Sequence, residues 1–139
     1  MAPVTYTGGE VAVPGGRVLV VEDDLKVRAA LSRFMSSKGY EVLEAGDGRE
    51  AMALARRALP DIVLLDIALP VKNGLEVLQE LAPTMLNTGF MIVTGNEDED
   101  LARRCLESGA FDYMPKPVDL EALERAVKAR LLARIPAPF

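Results

Sequence analysis

Five short runs rich in valine, isoleucine and leucine alternate with five helical patterns, and this alternation restricts the fold more than any other feature. Arg17–Val21 is followed by Glu22, Asp23 and Asp24; Asp61–Leu65 by Asp66; Phe90–Val93 by Thr94 and Gly95. The short run Phe111–Met114 leads to Lys116 and Pro117. Uninterrupted apolar runs suit strands buried on both faces. Alternating with helices, they predict a parallel sheet covered on each side. Right-handed crossovers then bring every C-terminal strand end to one edge, where ligand chemistry collects at the switch in strand order. Carboxylates, a hydroxyl and a lysine, far apart in sequence, are expected to meet there.

The helical stretches carry their own punctuation. Val27, Leu31, Phe34 and Met35 recur at helical spacing, and Gly39 is placed to end that helix. Tyr40–Ala45 reads as the second strand. Asp47 and Glu50 form an Asp-x-x-Glu box at a helix start. Ala51, Leu54, Ala55 and Ala58 are its expected inner face, and Pro60 its end. After a loop with Pro70 and Gly74, Leu75, Leu78 and Leu81 mark the third helix. Leu101, Cys105 and Leu106 are the expected inner face of the fourth, closed by Gly109. Asp119 should cap the fifth, which turns Leu120, Leu123, Val127, Leu131 and Leu132 inward. Residues 1–16, with four glycines and two prolines, read as a flexible N-terminal extension. Residues 17–134 read as one domain and 135–139 as a short tail.

Composition removes several classes of function. With 139 residues the chain has the length of one domain. A formal charge of −5 argues against a nucleic-acid footprint, which needs a basic face. No apolar run has the length of a membrane span, and the opening residues lack the basic and apolar regions of a secretory signal. One cysteine excludes an internal disulfide and fits a reducing compartment, so a cytoplasmic location is expected. Histidine is absent, which excludes a histidine base, metal ligand or phosphocarrier within this chain.

Glu22, Asp23 and Asp66 brought together repel one another unless a cation joins them. Lys116 supplies one positive charge, and a divalent ion would supply the rest. Magnesium, or manganese in its place, suits an all-oxygen site that keeps some waters. Zinc and copper do not fit a chain without histidine and with one cysteine. A carboxylate beside such an ion and a lysine is equipped to accept a phosphoryl group. Thr94 is placed to hydrogen-bond the phosphoryl oxygen.

Five segments now stand in order: Val-Val-Glu22-Asp23, Leu-Leu-Asp66-Ile-Ala-Leu-Pro70, Gly74, Val-Thr94-Gly95 and Tyr113-Met-Pro-Lys116-Pro117. From about Arg17 to Ala133 the chain resembles the receiver domain of two-component response regulators. The resemblance implies a five-stranded parallel sheet of order 2-1-3-4-5, flavodoxin-like and doubly wound. It implies that Asp66 is the phosphoacceptor. Asp23 would bind magnesium directly, Glu22 through a water, and the main-chain carbonyl of Ala68 would be a further ligand. Lys116 would pair with the phosphoryl group, and a cis bond would lead into Pro117. Thr94 and Tyr113 would form the switch pair.

The resemblance also implies partners. A sensor histidine kinase or phosphotransfer protein would act upstream, and a protein target downstream. The surface of helix 4, strand 5 and helix 5 would report the change and offer a homodimer interface. No nucleic acid or membrane is expected as a partner of this chain alone. It would catalyse its own phosphorylation and hydrolysis but act as a switch, not as a metabolic enzyme. Three departures stand out: Glu22 replaces the commoner aspartate, Ala68 the frequent polar residue, and Asn96 occupies a position that influences dephosphorylation in the family.

Rival readings fit less well. A non-phosphorylated interaction module of the same fold would not need the intact acidic set, Thr94 and Lys116. A magnesium-dependent phosphatase resembling haloacid dehalogenases would carry Asp-x-Asp on its first strand, where this chain has Glu22-Asp23-Asp24. A flavodoxin-like phosphate loop would not be acidic. Glu97–Asp100 lacks the spacing of an EF-hand loop and reads as acids opening a helix. Cys105 reads as core, and the paired glycines near the N-terminus do not form a nucleotide loop.

Overall fold

The computed structural model describes residues 6–7, 10–11, 16–95 and 99–133. Its main sheet consists of β1 (Arg17–Val21), β2 (Glu41–Ala45), β3 (Ile62–Leu65), β4 (Gly89–Thr94) and β5 (Ala110–Pro115). The helices are α1 (Leu25–Ser37), α2 (Gly48–Ala58), α3 (Gly74–Leu81), α4 (Glu99–Glu107) and α5 (Leu120–Ala133). The strands lie in the order β2-β1-β3-β4-β5, and every neighbouring pair is parallel. This is the 2-1-3-4-5 doubly wound sheet that the resemblance implied. Within the expected flexible extension, Tyr6 pairs with Val11 and Thr7 with Glu10 in a short antiparallel ladder. The tail 135–139 lies outside the described residues.

Successive strand residues face opposite sides of the sheet, and two cores result. Leu19, Val21, Val63, Leu65, Phe90 and Ile92 pack with the inner faces of α2 and α3 and with Cys105 of α4. Val18, Val20, Ile62, Leu64, Met91 and Val93 pack with α1 and α5. Asp24 caps α1, accepting from the N–H groups of Lys26 and Val27, and Gly39 follows it at φ 94°, where a glycine is favoured. Asp47 accepts from the N–H of Glu50, and Glu50 Oε2 accepts from the N–H of Gly46.

Two expected core positions face solvent instead. Leu106 is 47% exposed and Leu132 49%. Each follows a fully buried neighbour, Cys105 and Leu131, and one residue turns a helix by about 100°, which carries the side chain off the buried stripe. Ala58 and Leu54 are only partly buried, and Met52, not singled out by spacing, joins the α2 core.

Register sets the site. Val21 pairs with Leu65, and Leu65 with Ile92, so β1 and β3 end level. The N–H of Asp66 donates to the carbonyl of Val21 at 3.1 Å. Thr94 pairs with Pro115, and its carbonyl accepts from the N–H of Lys116 at 2.9 Å.

Candidate functional site

The aligned strand ends bring Glu22, Asp23 and Asp66 together, with one carboxylate oxygen of each lying within 4.8 Å of the others. Glu22 and Asp66 are buried, whereas Asp23 is exposed, so the cluster opens on one side. Opposite ligands of a small octahedral cation stand about 4.2 Å apart, so three oxygens within 4.8 Å of one another need only small side-chain adjustments to hold such an ion. The donor set, all hard oxygen, suits magnesium or manganese.

Lys116 reaches into the cluster from the end of β5. Its Nζ donates to Asp66 Oδ2 at 3.0 Å and more closely to Glu22 Oε1. The other oxygens are also engaged: the N–H of Asp24 donates to Glu22 Oε2, and that of Ala68 to Asp66 Oδ1. Burial pushes the Glu22 carboxyl up; the hydrogen bonds from Lys116 and Asp24 oppose this without cancelling it, and the Asp66 charge adds to it. Burial pulls the Lys116 ammonium down, but its hydrogen bonds to Glu22 and Asp66, with their charges, hold it above the ordinary lysine value.

The loop after Asp66 is fixed by close approach. A Cβ on Gly74 would lie 2.0 Å from the Asp66 carbonyl oxygen, and one on Gly48 would lie 1.9 Å from that of Lys72. Only glycine fits at either contact. The N–H of Gly74 donates to the carbonyl of Ile67 at 2.9 Å, which ties the start of α3 to the residue after Asp66.

The other predicted residues sit as follows. Thr94 ends β4 and is buried. Tyr113 is partly buried against the core shared with α2, α3 and α4. The Lys116–Pro117 bond is cis. Ala68 is exposed, and Asn96 lies outside the described residues. Asp24 stands apart as the α1 cap. Sequence reasoning missed Arg28, whose Nη1 donates to the Glu22 carbonyl at 3.0 Å. Its spacing from Asp24 places it on the first turn of α1, but its reach depends on the turn after β2, where Gly46 leaves room for the guanidinium. A cleft of about 360 Å³ between α2 and α3, lined by Arg49, Met52, Arg56, Lys72 and Glu76 among others, contains none of the converging groups.

A doubly wound sheet with a lysine-bridged acidic cluster at its C-terminal edge defines a class, and comparison with known proteins gives it a family. The model of the response regulator receiver domain matches residues 18–128; the chain belongs to this family. It is 40% identical over 120 residues to response regulator MprA of Mycolicibacterium vanbaalenii, covering 86% of this chain and 52% of that protein. The chain thus spans about half the length of the MprA relatives it matches. The CheY-like receiver domain protein of Methanospirillum hungatei superposes with a TM-score of 0.81 at 28% identity, over 84% of this chain and 94% of that one. The CheX-CheY-BeF3-Mg complex of Borrelia burgdorferi gives 0.75 at 28% identity, over 81% and 87%.

Proposed function

We propose that Asp66 is the phosphoacceptor of a two-component switch. The observation that carries the assignment is the Lys116 ammonium held between buried Asp66 and Glu22, with Asp23 beside them. An Asp66 oxygen attacks the phosphorus of a phosphohistidine on a sensor kinase or phosphotransfer protein. The O–P bond forms as the P–N bond breaks, and the electron pair leaves with the imidazole nitrogen. Lys116 turns from Glu22 to the phosphoryl oxygens and offsets their charge. Thr94, at the end of the next strand, donates its hydroxyl to one of them. Glu22, Asp23, Asp66 and the Ala68 carbonyl would hold magnesium or manganese, which would neutralise charge on the transferring group. The Borrelia neighbour, described with beryllium fluoride and magnesium, supports this reading.

The switch follows from differential contact, since the phosphoryl group moves the equilibrium only by what it adds to one state. Thr94 and Tyr113 would carry that difference to the face of α4, β5 and α5, where a protein target or a second copy docks. Hydrolysis at Asp66 resets the site, so the chain acts as a switch, in the cytoplasm. The receiver unit is assigned to residues 17–134.

The test is intact mass after incubation with magnesium and acetyl phosphate. One phosphoryl adduct is expected on the wild type and none on Asp66→Asn. An adduct of equal yield on Asp66→Asn removes Asp66 from the role.

A further inference from the structure

Asp23 is the least supported member of the acidic cluster. Glu22 and Asp66 are each held by Lys116 and by a main-chain N–H. Asp23 is exposed, and among the described residues its carboxylate has no hydrogen-bond partner. Its main chain is better fixed. The carbonyl of Glu22 and the N–H of Asp23 belong to one peptide unit, which is planar and stiff. A group that holds this carbonyl therefore also sets the direction in which Asp23 leaves β1. That group is Arg28, whose Nη1 donates to the Glu22 carbonyl at 3.0 Å. On the other side of the residue, the Glu22 N–H donates to the carbonyl of Ala45 at 3.0 Å.

Arg28 is itself held in place, and its side chain is mostly buried. Its Nε lies 3.9 Å from Glu44 Oε2, an oxygen that also accepts from Ser32 Oγ at 2.8 Å. The turn after β2 passes so close that a Cβ on Gly46 would lie 2.6 Å from Arg28 Nη1. One guanidinium thus joins α1, the end of β1 and the turn after β2.

We propose that Arg28 is a positioning residue for divalent-ion binding: by holding the peptide between Glu22 and Asp23, it aims the Asp23 carboxylate at Glu22 and Asp66. It acts through the main chain and not as a ligand. The proposal rests on the metal assignment above and adds a residue outside the acidic set that governs its affinity. Charge and clamp predict opposite signs. As a charge alone, a guanidinium beside the cluster repels a cation, and its removal would tighten binding. As a clamp, its removal loosens binding.

The test is Mn²⁺ affinity, read by electron paramagnetic resonance of the free ion without any phosphodonor, on Arg28→Met, Gly46→Ala and the double variant. Arg28→Met should weaken Mn²⁺ about tenfold, the lower end of what losing a partner that orients a metal ligand costs. Gly46→Ala keeps the arginine and its charge. Its new methyl meets the far end of a flexible side chain, so the guanidinium shifts while the fold stands, and binding should weaken about threefold or more. The double variant should bind within about twofold of Arg28→Met, because both changes break the same contact. Urea midpoints measured without metal separate affinity from stability, and Gly46→Ala should keep the wild-type midpoint while binding more weakly. Unchanged or tighter Mn²⁺ binding by Arg28→Met overturns the proposal. So does unchanged binding by Gly46→Ala, or a double loss equal to the product of the single losses. A wild type that binds no Mn²⁺ would strike the metal assignment and this proposal with it. Loss of the Asp66 adduct with these affinities as expected would strike the phosphoacceptor assignment alone.

Discussion

Replacing Gly74 by alanine sets two physical effects against each other at the edge of the loop after Asp66. Gly74 opens α3, and helix propensity alone makes the alanine variant more stable by about 0.5–1 kcal/mol. The structure opposes this. The new Cβ would sit 2.0 Å from the Asp66 carbonyl oxygen and 2.8 Å from Ile67 Cα, where real side chains do not come within 3.0 Å. The obstacle is backbone, so no rotamer change relieves it, and loop and helix must part by about 1 Å. Overpacking of this kind costs about 1–3 kcal/mol. With no flexible group to yield, the upper end applies, and the net loss is about 2 kcal/mol. For a domain of this size that lowers Tm by roughly 8 °C. The shift also moves Asp66 itself, and a displacement of about 1 Å at a reacting group can cost about 100-fold in rate. Thermal and urea unfolding measure the first effect, and the rate of acetyl phosphate labelling the second. Gly95→Ala, whose Cβ meets nothing within 4 Å, is the control and should stay within about 0.5 kcal/mol. A Gly74→Ala protein as stable as the wild type would refute the reasoning.

Two further outcomes test the packing. Burial, with the charge of Glu124 adding to it, pushes the Tyr40 hydroxyl up to about 12 from 10.0. Below pH 10 both folded and unfolded chains keep that proton. Between pH 10 and 12 only the unfolded chain loses it, so stability should fall by about 2–3 kcal/mol across that window. Tyr40→Phe removes this contribution, and urea unfolding at pH 9 and pH 11.5 should show a shallower fall; identical profiles refute the assignment. Cys105 is fully buried and its thiol is pushed up by that burial. It should resist an aromatic disulfide reagent in the native state and react promptly in urea.

What the sequence made legible follows from what periodicity can carry. Strand ends are written locally, as an apolar run that stops at Glu22, Asp66 or Thr94, and parallel topology then fixes their meeting place. Caps are local too, so Asp47 and Asp119 could be placed from residues within three positions. Leu106 and Leu132 were misplaced because an apolar residue one step off a buried stripe looks the same in sequence as one on it. Arg28 and the close approach at Gly74 were out of reach for another reason. Both depend on distances between elements that are separate in sequence: α1 against the turn after β2, and α3 against the end of β3. Motif resemblance pointed to Gly74 as a position, and only the packing shows what the glycine avoids.

The two halves of the site are built differently, and in the proposed switch this would separate chemistry from signal. In the rear half Asp66 is held by the N–H of Ala68, by Lys116 and by the close approach of Gly74 to its carbonyl. The front half has one buried hydroxyl, Thr94, that shares the face of Ile92 because strand residues alternate. Tyr113 pairs with Ile92 across β4 and β5 and packs against the same core. A Thr94 side chain drawn toward a phosphoryl group leaves space in an interior that tolerates few voids. Tyr113 is a large, partly buried group on that face, on the neighbouring strand. In the proposed switch, filling the space with its ring would remove the cavity cost and so couple a charge event at Asp66 to the surface of β5.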